Sequence, residues 1–399
     1  MARAVVGAPM DESGRAMVIW AEHNIISANR FLPGQGWGEP VALMARENTR
    51  YVLQPRLVMT PEGVGVAAWL MRDGSDTTVT ASVFDPESGQ WGEPLPLSEP
   101  ASPYNLAVSS GGNRVWVIWY QRGASGDYSV WLAGYLVEQG QWSDAVRLDT
   151  SGETVNGVSV AALADGTALV AWSQGSASLW GGRYDPDPGW PGPQQLNGTE
   201  TTSVFDPTLA ASGEKGAVLW RGYQAGKQII VVRRYDEGKG WEPAGTVVSQ
   251  SMPQHSRFPR LAVSGTGAVV AVWEASGPDD ISLYQLYAAR FDPQSEQWLA
   301  EERIDAGTGA ASTVLYSQVG MDKGGAALVI WTQSFGTRYD VWGRHLGADG
   351  QWEAAMPIED DGAGDTDPSL AVVSDGRALA AWAQNDGRTT HIWASFYTP

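Results

Sequence analysis

The chain of 399 residues contains no cysteine, which excludes disulfides, a thiolate nucleophile and any cysteine-ligated metal. Lysine is almost as scarce: Lys215, Lys227, Lys239 and Lys323 are the only four, and the net charge is −19. A nucleic-acid partner or an anionic membrane surface needs a basic footprint, so both are excluded as partners. No window approaches the roughly 20 uninterrupted apolar residues that span a bilayer, so no membrane insertion is expected. No charged-then-apolar leader follows Met1. The four histidines, His23, His255, His345 and His391, stand far apart without zinc-site spacing. Phosphate loops, nucleophile elbows and dinucleotide turns are missing, and no stretch keeps a helical period with caps.

Tryptophan is what the chain has in abundance, 20 residues in all. Eight of them, Trp20, Trp69, Trp119, Trp172, Trp220, Trp273, Trp331 and Trp382, recur at gaps of 48 to 58 residues. A period near fifty means that one small unit has been copied. In six units a glycine stands six residues before the tryptophan: Gly14, Gly63, Gly166, Gly267, Gly325 and Gly376. Apolar alternation flanks that turn, as in Pro259-Arg260-Leu261-Ala262-Val263 before it and Ala327-Leu328-Val329-Ile330-Trp331 after it. This pattern predicts an antiparallel hairpin. A third run ends in an aromatic, as in Arg290-Phe291-Asp292-Pro293. A second tryptophan row then opens a short fourth run: Trp37, Trp91, Trp142, Trp190, Trp241, Trp298 and Trp352.

Four short antiparallel strands per unit make a propeller blade. The expected fold is all-β: one β-propeller over 1–399, eight-bladed, with seven blades as the alternative. The expected blades are 1–50, 51–100, 101–150, 151–201, 202–252, 253–308, 309–360 and 361–399. The eighth unit reaches only its third strand. Either that blade has three strands or a strand upstream of Met1 belongs to it.

The turn between the third and fourth strands carries a family resemblance. Its strings include Phe84-Asp85-Pro86-Glu87-Ser88-Gly89-Gln90-Trp91, Tyr235-Asp236-Glu237-Gly238-Lys239-Gly240-Trp241 and Leu346-Gly347-Ala348-Asp349-Gly350-Gln351-Trp352. They resemble a degenerate Asp-box, the Asp-x-x-Gly-x-Trp turn of sialidase-like (BNR-repeat) propellers, although the serine that usually opens the box is absent. The resemblance implies that these turns are structural and lie opposite the active-site face. It also implies a site of arginines, a Tyr/Glu pair and an acid/base Asp at the central end of the blades. The corresponding loops here hold Arg46, Arg50, Arg56, Tyr104, Arg257, Arg260 and Tyr316, with Glu22, Arg72, Arg122, Arg221, Tyr223 and Glu274 after the first tryptophan row.

Four sets of residues are candidates for ligand chemistry. Arg56 and Arg260 occupy one slot in units two and six and would suit an anion clamp. Gln121, Gln174, Gln333 and Gln384 stand two residues after a strand-ending tryptophan, where a carboxamide can read hydroxyl groups or satisfy loop backbone. Trp131, Trp180, Tyr287, Trp342 and Trp393 share one third-strand slot, suited to sugar stacking or to packing between blades. Asp360, Asp361, Asp365 and Asp367 lie in a glycine-rich loop that could hold Ca²⁺ through oxygen or remain a solvated acidic loop; no other cofactor is implied. The expected function is a non-catalytic, secreted or surface-exposed module that binds a glycan or a protein. The alternatives are a sialidase-type glycoside hydrolase and a structural subunit of an extracellular assembly.

Overall fold

Each glycine six residues before a tryptophan sits at positive φ: 82° at Gly14, 91° at Gly63, 83° at Gly166, 90° at Gly267, 103° at Gly325 and 88° at Gly376. A side chain would be strained there, so glycine sets the reversal that makes each hairpin. In the computed structural model the described residues are 7–22, 25–44, 50–123, 125–249, 255–276, 282–307, 312–335, 338–359, 364–385 and 388–399. They form eight antiparallel blades of a β-propeller, not seven. Among the described residues the one helical element is a single 3₁₀ turn at Val137–Gln139.

Blade 3 shows the plan. Ser102–Gly111 pairs with Arg114–Arg122, which pairs with Tyr128–Leu136. The fourth strand is broken into Gln141–Trp142 and Val146–Arg147, both on the edge of the third. Blades 1, 2, 5 and 6 split their fourth strands the same way. In blades 2 and 5 the Pro94 and Pro243 that follow the tryptophan cannot donate to the ladder, which favours the break. Blade 8 has three strands among the described residues: Gly364–Val372, Ala378–Asn385 and Thr390–Tyr397. At the other end, Gly7 and Met10 form isolated bridges to Ile19 and Ala16, so an extended segment precedes and pairs with Ala16–Glu22 in blade 1.

The chain's contacts gather into two compact units, 1–175 with 180–194 and 176–179 with 195–399. In the first, Trp69, Trp119 and Trp172 are at most 1% exposed, and in the second Trp220, Trp273 and Trp331 are fully buried. Their rings anchor the clusters that join neighbouring blades. Trp172 packs with Trp116, Ile118, Leu148 and Val170 across blades 3 and 4, and Trp273 with Leu219, Ile230 and Leu261 across blades 5 and 6. Trp116 is core as well: its indole N–H donates to Gly166 O at 3.0 Å. A Cβ on Gly134 would come within 2.6 Å of its ring.

The second tryptophan row packs on the third strand of its own blade and also against the neighbouring one, as Trp142 does on the Ala68 and Leu70 cluster and Trp190 through its bond to Leu148 O at 2.9 Å. Phe31, Phe84, Tyr135, Tyr235 and Phe291 each lie in register with a turn tryptophan, the rings 5.2 to 5.7 Å apart. The turn aspartates accept from their own loops. Asp85 takes Glu87 N–H at 2.9 Å, Asp236 takes Gly238 N–H at 3.0 Å and Asp349 takes Gln351 N–H at 3.0 Å. Replacing Trp172 with alanine is expected to cost roughly 3–5 kcal/mol, because the cavity spans two blades. Urea unfolding of Trp172→Ala checks this, and a loss below ~1 kcal/mol would show that the blades close around the gap.

Candidate functional site

The candidate residues meet very different fates, and the glutamines show it best. The Oε1 atoms of Gln121, Gln174 and Gln333 accept the indole N–H of Trp119, Trp172 and Trp331 at 3.1, 3.0 and 2.8 Å. Where Met71 and Ala275 stand in that slot, the buried indole nitrogens of Trp69 and Trp273 have no partner. In blades 3, 4 and 7 the amide therefore satisfies the blade's own tryptophan; in blade 8 it does not, and the Trp382 indole nitrogen has no partner among the described residues although Gln384 stands in the slot. Gln174, Gln333 and Gln384 are buried. Their Nε2 groups are committed as well, to Glu153 at 3.4 Å, Ser312 at 2.6 Å and Glu359 at 2.9 Å. Gln121 is the exception: it is half-buried, and its Nε2 donors have no partner among the described residues.

The third-strand slot lies directly opposite the strand-ending tryptophan. Trp131, Tyr287, Trp342 and Trp393 pair in register with Trp119, Trp273, Trp331 and Trp382. Trp131, Tyr287 and Trp342 are half-buried against inter-blade clusters, and Trp180 packs on the cluster that holds Trp172. Tyr287 stacks on Trp273 with centroids 6.4 Å apart. Trp393 is 51% exposed, and no described strand covers that edge of its blade.

One cleft unites two of these sets. Between blades 2 and 3, Trp119, Gln121 and Trp131 face Pro96, Ser98 and Glu99 around a cavity of about 470 Å³. Ser129 Oγ accepts the Trp131 indole N–H at 2.8 Å, which fixes the ring at the cleft wall. Among the described residues Glu99 is its only ionisable lining group.

Arg56 and Arg260 turn back on their own strands rather than outward. Each donates to the carbonyl of the preceding proline, Arg56 Nη1 to Pro55 O at 2.9 Å and Arg260 Nη1 to Pro259 O at 3.1 Å. They belong to different compact units. In the second unit Arg257 hydrogen-bonds a carboxylate, while Arg260 acts on the same one only through space. The Arg257 Nε donates to the Glu274 Oε2 at 2.9 Å and its guanidinium lies 3.4 Å from the centroid of Tyr284. Glu274 is fully buried, and its Oε1 accepts Ser317 N–H at 3.4 Å. Burial raises the Glu274 pKa, against the opposing pull of Arg257.

Asp360 and Asp361 lie outside the described residues, as does the side chain of Asp365. Asp367 opens a bulge in the first strand of blade 8. Among the described residues no group of three or more His, Asp or Glu is placed to hold a metal ion. His23 and Arg46 also lie outside the described residues. Asn197, which opens an Asn-Gly-Thr string of glycosylation-sequon form, is buried and spends its amide on Leu179 N–H and Ala177 O, at 2.7 and 2.8 Å.

A further row escaped sequence reasoning. The first strands of six blades bulge at a non-glycine residue with positive φ: Gln54, Asn105, Asp206, Phe258, Tyr316 and Asp367, between 39° and 57°. Proline follows four of them, at Pro55, Pro207, Pro259 and Pro368. The residue before a proline is ordinarily extended, so the sequence points away from this conformation. A side chain in it costs roughly 1–2 kcal/mol.

The comparisons show the fold. No sequence family matches the chain, and no curated protein does. The β-propeller domain of the Trilobed protease from Pyrococcus furiosus is similar over 88% of this chain and 97% of its own, at 8% identity and a TM-score of 0.52. Dipeptidyl peptidase 4 of Porphyromonas gingivalis is similar over 96% of this chain and 58% of its own, at 12% identity and a TM-score of 0.54. An alpha-L-arabinanase from Penicillium chrysogenum matches 74% of this chain and 94% of its own, with 13% identity and a TM-score of 0.44. No helix among the described residues is long and apolar enough to cross a membrane.

Two outcomes follow. Gln333→Ala leaves the Trp331 indole N–H and Ser312 without partners, at about 1–3 kcal/mol in urea unfolding. Gln121→Ala, half-exposed, is expected to cost less. The raised Glu274 pKa means that the native state holds this proton more tightly than the unfolded chain. Its contribution is complete below the unfolded glutamate value of about 4.3 and is lost as pH rises through the folded pKa. The stability of the parent relative to Glu274→Gln should therefore fall as pH is raised from 4 to 7. A difference independent of pH would show that burial leaves this carboxyl unshifted.

Proposed function

We propose that the chain is a non-catalytic glycan-binding module whose ligand lies in the cleft between blades 2 and 3. One observation carries the reading. Gln121 is the member of the glutamine row with uncommitted donors, and it lines one cleft with Trp131, a member of the aromatic row. An indole face gives a sugar ring an apolar platform, and a carboxamide donor reads its hydroxyls. Pro96 and Ser98 form the opposite wall, so the ligand would be held between two blades.

Binding without catalysis follows from the same wall. Glycoside hydrolysis in most families uses a pair of carboxylates, and among the described residues this cleft presents Glu99 alone. The sialidase-type alternative fares no better at the Arg257 corner, where the carboxylate, Glu274, is closed to solvent and bound to arginine. A glycan of this kind is met outside the cell, so we place the protein in a secreted or surface position.

A glycan array followed by calorimetry tests the reading. Trp131→Ala and Gln121→Ala are each expected to weaken binding about tenfold, equivalent to about 1.4 kcal/mol. Trp342→Ala, in the same slot of blade 7, should bind as the parent does. Absence of glycan binding by the parent, or equal binding by Trp131→Ala, would sink the proposal.

A further inference from the structure

In four blades an arginine stands immediately before the aromatic that closes the third strand: Arg30, Arg183, Arg234 and Arg290. Three of the four are engaged. Arg30 lies 5.0 Å from the centroid of Phe84, the closing aromatic of the next blade. Arg183 pairs with Asp165, beside the glycine of its own hairpin turn, and its Nε donates to Thr167 Oγ1 at 3.1 Å. Arg234 pairs with Glu242, which follows the turn tryptophan, and lies 3.4 Å from the centroid of Phe291 on the next blade. At Arg290 each of these partners has been replaced. Leu299 follows the turn tryptophan, Thr266 and Ala268 flank the hairpin glycine, and Leu346 closes the third strand of blade 7. Among the described residues no hydrogen bond, ion pair or ring contact engages the Arg290 guanidinium.

That guanidinium is nevertheless held in place. It lies against Gly350 in the turn of blade 7, where φ is 77° and a Cβ would overlap Arg290 Nη1. With Pro293, Met321 and Gly325 it lines a cleft of about 380 Å³ between blades 6 and 7, a size that admits a small organic molecule. Among the described residues Asp292 is the one acid lining this cleft, and its oxygens are spent on its own turn. They accept from Gln294 N–H at 3.0 Å, Ser295 N–H at 3.3 Å and Ser295 Oγ at 2.7 Å. The Ser295 hydroxyl is the main cause of the lowered Asp292 pKa, and the through-space pull of Arg290 is the smallest. In the blade 7 turns, Asp322 accepts from Gly325 and Ala326 N–H and Asp349 from Gln351 N–H. A guanidinium left this way gains most from an opposite charge at hydrogen-bonding distance, and its planar fork matches a carboxylate. The nearby Asp292 charge repels a second negative charge, which favours a monoanion over a phosphate dianion. Pro293 and Met321 offer apolar surface to the rest of such a ligand. We propose that the cleft between blades 6 and 7 binds a monocarboxylate with an apolar body, its carboxylate paired with Arg290. This cleft and the one at Gln121 belong to different compact units, and neither reading depends on the other.

The probe is hexanoate, titrated calorimetrically against the parent, Arg290→Ala and Leu299→Glu. Arg290→Ala removes the guanidinium. Leu299→Glu leaves it in place and returns the carboxylate that Glu242 gives Arg234, at a side chain already 37% exposed. Each variant is expected to bind hexanoate about tenfold more weakly than the parent. Leu299→Gln, of the same size as the glutamate but neutral, should bind as the parent does. Hexanamide, which keeps the body and drops the charge, should bind the parent about tenfold more weakly than hexanoate. Absence of hexanoate binding by the parent, or unchanged affinity in Arg290→Ala or Leu299→Glu, would overturn the proposal. Equal affinity for hexanamide would overturn it too, because the cleft would then take the apolar body alone. Inorganic phosphate held more tightly than hexanoate would overturn the choice of a monoanion. Trp131→Ala, silent toward hexanoate, keeps a failure here distinct from a failure of the glycan cleft.

Discussion

The fold depends on burying one indole per blade between neighbouring sheets. A propeller blade is too small to enclose a core alone, so its strands hold only while an adjacent blade covers them. The strand-ending tryptophan supplies the largest apolar surface available for that contact, and six of the eight are at most 1% exposed. Burying an indole brings a polar N–H with it, and an unmet N–H in the interior carries a penalty. The glutamine two residues later answers that need in blades 3, 4 and 7. In blade 5 the hydroxyl of Thr201 does so at 3.3 Å.

That requirement explains why the chain's polar repeats are mostly internal. The glutamine row reads on paper as a ring of ligand contacts, yet three of its four members are spent inside the blades. The arginines of the Pro-Arg-Leu slot bond their own backbone. Function is left to places where the repeat is incomplete or departs from its own rule. Gln121 keeps its donors, and Arg290 lacks the partners that engage Arg183 and Arg234.

Much of the architecture was legible. The glycine turns had to accept positive φ and do, and the alternation fell into hairpins. The turn aspartates bind their own loops. The division of the fourth strands was less visible, because breaks after the second tryptophan row depend on which ladder bonds survive around Pro94 or Pro243. The bulge row was hidden outright: proline at the next position predicts an extended residue, and only the pairing of two strands forces the left-handed turn.

The sequence by itself determined the repeat, the hairpins and the burial of the tryptophan row, because these follow from local backbone preference and from periodicity along one strand. Only the tertiary structure decided which polar side chains remain available to a ligand. Gln121 and Gln333 are identical in kind and in spacing from their tryptophans. What separates them is whether Ser312 or an open cleft lies opposite, and that is set by how strands distant in sequence come together.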